Sequence, residues 1–317
     1  MTTSVLVPHL ADAMVRVTEK AAIAAETMVG RGDEKAADAA AVDSMRAAFN
    51  EVDFKGRVVI GEGERDEAPM LYIGEEVGTR NGPEIDIALD PLEGTTLTAK
   101  SMANALAVLA IAPRGGLLFA PDTYMQKIAI GPGYEEGIID LDVSAGDNIT
   151  ALAKAKGVPV SDMTACVLDR PRHADIIQSL RSVGARISLI TDGDVAGVIN
   201  TTNPDTGIDL YVGSGGAPEG VLAAAALKCV GGQMQGRLIF RNDDERARAD
   251  RTGITDYDKK YDLNGLASGE TVFCATGVTK GGLVDGVTRR AGVITTDTLV
   301  MSSADGKVRK ITSWHKA

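Results

Sequence analysis

From residue 163 onward the chain alternates short apolar segments with helical patterns, and this alternation limits the folds that it can adopt. Apolar runs at 163–168, 186–190 and 209–212 predict strands. Helices are predicted over 173–183 and from Pro218 onward, where a proline in the first turn follows a glycine-rich segment. Strands that alternate with helices indicate βαβ units, with helices layered against a sheet. The sequence therefore predicts an α/β protein.

The first half of the chain predicts two helices followed by strands. Apolar residues at helical spacing indicate one helix over 10–29 and a second that begins after Asp33. The other expected elements are strands at 57–60, 85–89 and 105–112, part of a hairpin over 117–130 that ends at Gly131-Pro132-Gly133, and further strands in 270–314. The stretch 241–264 is dense in Arg, Asp and Lys and has no period, which is typical of a solvated loop or short surface helix. A lid is the alternative for this stretch.

Composition and charge narrow the range of partners. Hydrophobic residues make up 44% of the chain and charged residues 24%, as in ordinary globular proteins. The net charge of −11 repels nucleic acid and anionic membranes, so neither is expected as a partner. Because this charge also repels phosphate esters, an enzyme that acts on them would need a local cationic site, built from metal ions or clustered arginines.

The cysteines and the N-terminus indicate a compartment. The chain has an odd number of cysteines that lie far apart in sequence, namely Cys166, Cys229 and Cys274. This favours buried, reduced thiols in a reducing environment. The N-terminus lacks a charged flank before an apolar core, and no apolar run is long enough to span a bilayer. We therefore expect a soluble, cytoplasmic protein.

The strongest local signal is the string Asp90-Pro91-Leu92-Glu93-Gly94-Thr95. It places two carboxylates three residues apart, where a buried strand is expected to end at Asp90-Pro91. Pro91 prevents further pairing and Gly94 allows a tight turn, so both acids can face one point. Two such carboxylates repel each other unless a cation joins them, and the hydroxyl of Thr95 can orient a water molecule. The alternative is a simple turn in which Asp90 caps the next helix.

Three further acids lie at junctions between predicted elements. Asp33 separates the two N-terminal helices, Glu62 follows a strand, and Glu219 is in the first turn of a helix. Taken alone, Asp33 suits a helix N-cap, Glu62 a solvated turn, and Glu219 an acid that interacts with the helix dipole. Together with Asp90 and Glu93 they supply five carboxylates, and such oxygen ligands suit Mg²⁺ or Mn²⁺. A zinc site built on imidazole is disfavoured because the chain has only 3 histidines.

Two polar motifs at strand-to-helix junctions are candidate substrate contacts. In Arg170-Pro171-Arg172-His173, two arginines near a helix start can clamp a phosphate, or they are simply solvated. We interpret His173 as a helix-start residue rather than a catalyst. Asp192-Gly193-Asp194 can bind sugar hydroxyls or cap the following helix. The glycines at 213–216 lack the full dinucleotide motif, and the chain has no phosphate-binding loop of the GxxxxGK[ST] type, so nucleotide binding has no support.

Taken in order, the motifs of this chain match one family. They are Ile60-Gly61-Glu62-Gly63-Glu64, Asp90 to Thr95, Ala120-Pro121-Asp122-Thr123-Tyr124-Met125, Arg170 to His173, Asp192 to Asp194, and Gly215-Gly216-Ala217-Pro218-Glu219-Gly220. From about residue 10 to the C-terminus, the chain resembles the class II fructose-1,6-bisphosphatases, which belong to the lithium-sensitive, metal-dependent phosphatases. Glu93 stands where the wider superfamily usually has a second Asp, as is common in class II.

The resemblance implies a fold and an organisation. The expected fold is a layered α/β/α/β/α sandwich of the fructose-1,6-bisphosphatase and inositol monophosphatase type. Residues 1–317 would form a single catalytic unit, with a metal-binding lobe over about 1–158 and a sugar-phosphate-binding lobe over about 159–317. Members of the family form homo-oligomers, so a dimer or tetramer is expected.

The resemblance also implies roles for individual residues. Two or more Mn²⁺ or Mg²⁺ ions would be held by Asp33, Glu62, Asp90, Glu93 and Glu219. Thr95 and Asp33 would take part in catalysis. Substrate contacts would come from Glu93, Gly94, Thr95, Tyr124, Arg170, Pro171, Arg172, Asp192, Gly193, Asp194 and Gly216.

The implied activity is hydrolysis of the 1-phosphate of fructose 1,6-bisphosphate to fructose 6-phosphate and phosphate, by in-line attack of a metal-activated water. This reaction serves gluconeogenesis or the reductive pentose phosphate (Calvin) cycle. Arg170 in place of a lysine, together with the segment 61–78, resembles the photosynthetic-type members, so a bifunctional enzyme that also cleaves sedoheptulose 1,7-bisphosphate is the alternative. The alternative that is not an enzyme is a regulator that binds a sugar phosphate without cleaving it.

Overall fold

The computed structural model describes residues 6, 8–62 and 71–316, and the Gly63-Glu64 end of one motif lies outside these residues. The described helices are α1 Pro8–Glu26, α2 Glu34–Phe49, α3 Thr95–Ala99, α4 Ala145–Lys156, α5 Ala174–Ser182, α6 Asp194–Ile199, α7 Ala217–Val230, α8 Asp243–Arg251 and α9 Leu263–Leu266. The described strands are β1 Lys55–Ile60, β2 Glu76–Val77, β3 Glu84–Glu93, β4 Leu106–Pro113, β5 Tyr124–Ile130, β6 Thr164–Leu168, β7 Arg186–Ile190, β8 Leu210–Gly216, β9 Gln233–Ile239, β10 Lys260–Asp262, β11 Val272–Gly277, β12 Thr288–Arg290, β13 Val293–Ser302 and β14 Lys307–Lys316. Across these ranges no helix has the length and apolar character that crossing a bilayer requires.

The first of two compact units comprises Met1–Phe119 and Ala267–Ala317. Its sheet has the order β12-β13-β11-β4-β3-β1-β2, with β14 paired to β13. The β1 and β3 strands are parallel, whereas β3 and β4 are antiparallel, so the sheet is mixed. Helices α1 and α2 cover it through fully buried Met14 and Phe49, which belong to the same apolar cluster as Ile87 and Leu109.

The second unit is Ala120–Leu266, with a sheet in the order β10-β9-β5-β8-β6-β7. The β6, β7 and β8 strands are parallel to one another, while β5 runs antiparallel to β8 and β9. The core here joins Ile149 of α4 and Leu180 of α5 to Ile128 and Val167 of the sheet. These parallel strands and their helices confirm the predicted α/β class.

Several boundaries differ from the sequence-based expectations. The β3 strand passes through Asp90-Pro91 and ends at Glu93, because a register shift between Asp90 and Glu93 removes Pro91 from the regular ladder. The β8 strand continues through the glycines to Gly216, since they pair with β5 as far as Tyr124. The β5 strand, within 117–130, is not part of a hairpin, because the strands that it pairs with, β8 and β9, come from much later in the chain. The charged stretch 241–264 contains the short helix α8, one of the two forms expected for it, and also β10 and the start of α9.

The two compact units have other bounds than the lobes expected at 1–158 and 159–317. Strands β11 to β14, from the end of the chain, join the sheet that β1 to β4 begin. The β5 strand and α4, which precede residue 158, belong instead to the second unit.

Candidate active site

In the first unit, Asp90 and Glu93 come together at the end of β3. Asp90 lies opposite Val108 and Glu93 opposite Leu106, so β3 carries one residue more than β4 between these pairs and forms a bulge. The side chain of Asp90 stabilises the bulge by accepting a hydrogen bond from the amide of Leu92 at 3.0 Å. Each acid offers a carboxylate oxygen within 4.8 Å of the other, and Glu93 is only 6% exposed. Two negative charges this close, one of them buried and the other half-buried, favour a cation beside them.

Thr95 directly follows this carboxylate pair, as the first residue of the short helix α3. Gly94 precedes it in the left-handed region, at φ 92°, which a residue with a side chain rarely adopts. A Cβ at Gly94 would also lie 2.8 Å from Cδ1 of Leu97. The turn from β3 into α3 therefore requires glycine, and it places Thr95 two residues beyond Glu93.

The segment around Asp33 is attached to the same helix. The amides of Gly30 and Gly32 donate to the carbonyl oxygens of Thr98 and Ala99, at 2.9 and 3.0 Å. The hydroxyl of Thr96 donates to Glu34 at 2.9 Å. The start of α2 is thereby fixed beside α3.

Asp33 is the N-cap of α2, as its simpler interpretation predicted. Its Oδ1 accepts a hydrogen bond from the amide of Ala36 at 3.0 Å. A carboxylate has a second oxygen, so capping is compatible with binding an ion as well.

Glu62 follows β1, the parallel neighbour of β3. Ile60 is paired with Ala88, so Glu62 and Asp90 both lie two residues beyond that pair on adjacent strands. The amide of Glu62 donates to the carbonyl of Leu71 at 3.0 Å, which fixes the backbone here. Carboxyl ends of adjacent parallel strands are where ligand sites form in α/β sheets.

Sequence reasoning missed Asp38, on the second turn of α2. The pKa of Asp38 is raised to about 6, first by burial and second by the negative charge of Asp90. Asp38 is thus a further carboxylate near the pair on β3. The signal for it was present, since Asp38 begins the series Asp38, Val42, Met45 and Phe49, whose other members are buried apolar residues.

In the second unit, Glu219 lies in the first turn of α7, and its carboxylate rests against the backbone of Gly216. A Cβ at Gly216 would lie 1.9 Å from Oε2 of Glu219. The backbone at Gly216 is ordinary, with φ −63° and ψ 143°, so the need for glycine there is purely steric.

Tyr124 and the arginine motif lie on elements of this same unit. Tyr124 starts β5, and Cζ of Arg172 lies 5.1 Å from the centre of its ring. Arg172 donates from Nη2 to the carbonyl oxygen of Ser214 at 2.8 Å, and from Nε to its hydroxyl at 3.1 Å. Arg170 donates to the carbonyl of Asp169 at 3.1 Å. The structure thus brings Tyr124 and Arg172 into contact and leaves the Arg172 charge among neutral partners.

His173 is buried, with 1% exposure, and connects two backbone segments. Its Nε2 accepts from the amide of Ser214 at 2.9 Å, while its Nδ1 lies 2.7 Å from the carbonyl oxygen of Leu168. Acceptance at Nε2 places the proton on Nδ1, where it is donated to Leu168. His173 therefore has a structural role, in line with the sequence-based interpretation.

This arrangement predicts an acid-sensitive contribution to stability. Burial lowers the pKa of His173 from its ordinary value of 6.5. Below pH 6.5 the His173 side chain therefore binds a proton in the unfolded chain but stays neutral in the folded chain. The contribution of His173 to the free energy of unfolding is complete above this pH and declines as the pH falls. Urea unfolding at neutral and mildly acidic pH should show a smaller loss for His173→Asn than for the wild type, and equal losses would contradict this role.

The structure shows that Asp194 is buried in an ion pair that the sequence did not reveal. Asp194 begins α6 and is 5% exposed. Its Oδ2 lies 2.5 Å from Nζ of Lys127, which is 1% exposed, and the hydroxyl of Tyr211 donates to it at 3.4 Å. Asp192 is exposed and accepts from the amide of Gly193 at 3.1 Å. Within the Asp192 to Asp194 turn, Lys127 therefore fixes one carboxylate while the other faces solvent.

Comparisons with known proteins agree with these motifs. The model of the family "Bacterial fructose-1,6-bisphosphatase, glpX-encoded" matches residues 8–315. Among curated proteins, "Fructose-1,6-bisphosphatase 1 class 2" of Escherichia coli K12 is 46% identical over 321 residues, covering 97% of this chain and 95% of the relative. The "Fructose-1,6-bisphosphatase class 2" proteins of Escherichia coli O6:H1 and Shigella flexneri match with the same identity and coverage.

Proposed function

Because the chain belongs to the glpX-encoded family of bacterial fructose-1,6-bisphosphatases, we propose that it hydrolyses the 1-phosphate of fructose 1,6-bisphosphate, giving fructose 6-phosphate and phosphate. The observation that carries this proposal is the pair Asp90 and Glu93, whose carboxylate oxygens lie within 4.8 Å directly before Thr95. A close acidic pair followed by a hydroxyl suits metal-assisted hydrolysis of a phosphate ester.

The residues present fit a divalent cation of the hard type. The candidate ligands, Asp33, Glu62, Asp90, Glu93 and Glu219, all offer carboxylate oxygens, which Mg²⁺ and Mn²⁺ prefer. We propose that these five side chains hold two or more such ions. When bound, the ions lower the pKa of water and neutralise charge on the phosphate. This also answers how a chain with a net charge of −11 handles an anionic substrate.

The chain's own residues would position the reactants. We propose that the Thr95 hydroxyl orients the attacking water, because α3 fixes it one residue beyond Gly94 and the carboxylate pair. Asp33 would assist as a hydrogen-bond acceptor at the start of α2, which is attached to α3 by three hydrogen bonds. Such fixed placement contributes to rate by holding the reacting groups in line.

Substrate recognition would use the remaining predicted residues. Arg170, Pro171 and Arg172, together with Tyr124, would bind the phosphate that is not cleaved. Glu93, Gly94 and Thr95, the turn of Asp192, Gly193 and Asp194, and Gly216 would contact the sugar and the reacting phosphate. Binding energy from the remote phosphate would then position the reacting one.

Gly216→Ala is expected to weaken metal binding through Glu219. The added Cβ would overlap Oε2 of Glu219 at 1.9 Å, so this carboxylate must move. We expect the metal concentration for half-maximal activity to rise roughly 10- to 100-fold, as when a metal ligand loses its support. Metal titrations of activity would measure this.

Gly282→Ala is the matched control for that titration, because a Cβ at exposed Gly282 would meet nothing within 4 Å. An unchanged metal requirement in Gly216→Ala would remove Glu219 from the proposed ligands.

Phosphate release tests the proposed function. Fructose 1,6-bisphosphate would be incubated with Mg²⁺, with Mn²⁺ and with EDTA, beside sedoheptulose 1,7-bisphosphate and an inositol phosphate. Metal-dependent release from the fructose ester supports the proposal, and the better of the two ions identifies the preferred metal. Release from the sedoheptulose ester as well would identify a bifunctional enzyme of the reductive pentose phosphate cycle. Substrate binding without release would instead indicate a regulator.

We also propose a cytoplasmic homo-oligomer, either dimer or tetramer. All three cysteines are free and buried, which suits a reducing compartment. On β14, Trp314 is 73% and Val308 51% exposed, and such apolar side chains on an outer strand suit contact with a second copy. Light scattering would give the mass in solution, and a monomer would contradict this part of the proposal.

A further inference from the structure

Tyr124 has a second arginine over its ring, from a part of the chain that the family motifs do not include. Cζ of Arg241 lies 4.8 Å from the ring centre, and Cζ of Arg172 lies 5.1 Å from it. Both distances are within the range of a cation–π interaction. Both distances are measured to the same ring centre, so the two Cζ atoms lie at most 9.9 Å apart.

In the sheet of the second unit, the residues beside Tyr124 lie at the ends of neighbouring strands. Tyr124 is the first residue of β5 and pairs with Gly216 at the end of β8 and with Ile239 at the end of β9. Arg241 follows Ile239 by two residues, just before α8. The position of Arg241 is therefore set by the register of β5 and β9 and not by a free loop.

Glu245 fixes the direction of the Arg241 side chain. Nε and Nη2 of Arg241 lie 2.6 and 2.5 Å from Oε1 of Glu245, and the Arg241 amide donates to Oε2 at 2.7 Å. The hydroxyl of Thr123, next to Tyr124, donates to the same Oε2 at 3.0 Å. The Glu245 side chain is 1% exposed, whereas that of Arg241 is 56% exposed. A buried carboxylate thus holds a guanidinium that still faces solvent.

The charges around Tyr124 favour a multivalent anion. Glu245 offsets the charge of Arg241, but the contacts of Arg172 with Ser214 are to neutral oxygens. Arg248 of α8 adds another positive charge, 4.0 Å from Glu245. The exposed carboxylate of Asp122 also acts on Arg241, so three guanidinium groups stand against two carboxylates and the balance is still positive. A planar guanidinium suits phosphate because it donates two parallel hydrogen bonds.

We propose that Arg241 binds the phosphate of the substrate that is not cleaved, together with Arg172 above Tyr124, and that Glu245 is its positioning residue. The inference rests on the proposed function and adds a specificity residue to it. It predicts that Arg241 acts on binding rather than on the chemical step, since the contact is made equally before and during bond cleavage.

The test compares Arg241→Gln with the wild type at saturating metal. The KM for fructose 1,6-bisphosphate and the inhibition constant of fructose 6-phosphate, which carries the retained phosphate, should each rise roughly 10- to 100-fold, as expected for a lost charged hydrogen bond. The kcat should stay within about threefold. Arg246→Gln is the matched control, since Arg246 is on α8 but pairs with exposed Asp243 at 2.7 Å. It should leave all three constants unchanged.

A second variant covers the risk that Arg241→Gln leaves the buried Glu245 without its ion-pair partner. The double variant Arg241→Gln with Glu245→Gln removes both charges and should show the same rise in KM. Unchanged KM and inhibition constants in both variants would overturn the inference, as would a fall in kcat at constant KM. Failure of the proposed function is distinct, because the wild type itself would then release no phosphate from the fructose ester.

Discussion

Thr95→Ala is expected to lower kcat by roughly two to three orders of magnitude at saturating metal, with little change in metal affinity. The hydroxyl belongs to the first residue of α3, two residues after Glu93, so removing it leaves the carboxylates in place. The expected loss is of the size seen when a reactant is misplaced or loses a positioned acid or base. Steady-state kinetics with a full metal titration would measure both effects.

Thr96→Ala is the control for this experiment. Thr96 is the next residue of α3, and its hydroxyl donates to Glu34 at 2.9 Å. Its loss removes a helix-to-helix hydrogen bond and should cost about 1 kcal/mol of stability without a large change in kcat. If Thr95→Ala turned over at the wild-type rate, the proposed role of Thr95 would be wrong. If both variants lost activity equally, the effect would belong to α3 as a whole.

Lys127→Met should lower the free energy of unfolding by about 3–5 kcal/mol. The variant leaves the Asp194 carboxylate buried without its 2.5 Å ion-pair partner. Space around this pair is tight, because a Cβ at Gly215 would lie 2.1 Å from Oδ2 of Asp194 and 3.3 Å from Nζ of Lys127. Urea unfolding followed by circular dichroism would measure the loss.

Two further variants make this result specific. Lys307→Met removes an exposed pair, in which Nζ lies 2.8 Å from Asp305, and should change the free energy of unfolding far less, because solvent screens such a pair. The double variant Lys127→Met with Asp194→Asn removes both buried charges and should recover part of the stability. A Lys127→Met protein as stable as Lys307→Met would show that the buried pair contributes little to folding.

Features set by local patterns were predictable from the sequence. The helices after Asp33 and from Pro218, and the parallel strands from 163 onward, rest on spacing and on helix-start residues. The α4 helix was missed although its signal is also local, since Ser144 caps it by accepting from the amide of Asp147. Local patterns also placed Asp90, Glu93 and Thr95 together at the end of a strand.

The features that were missed depend on contacts between distant residues. Pro91 indicates a strand end by itself, but pairing with β4 keeps it in a bulge. Lys127 lies in the segment expected to form part of a hairpin, and its buried partner Asp194 comes 67 residues later in the chain. Arg241 looks like part of a solvated charged stretch until the register of β5 and β9 places it over Tyr124. The spacing of residues in the sequence does not reveal these contacts between distant segments.

The most direct test of the central claim is ³¹P NMR of fructose 1,6-bisphosphate during incubation with the protein and Mg²⁺. The account predicts that the signal of the 1-phosphate disappears while those of fructose 6-phosphate and free phosphate grow in equal amounts, and that EDTA stops the change. Two results would contradict it. One is a 1-phosphate signal that persists at saturating Mg²⁺, together with no phosphate release in a parallel assay at saturating Mn²⁺. The other is phosphate release that continues unchanged in EDTA.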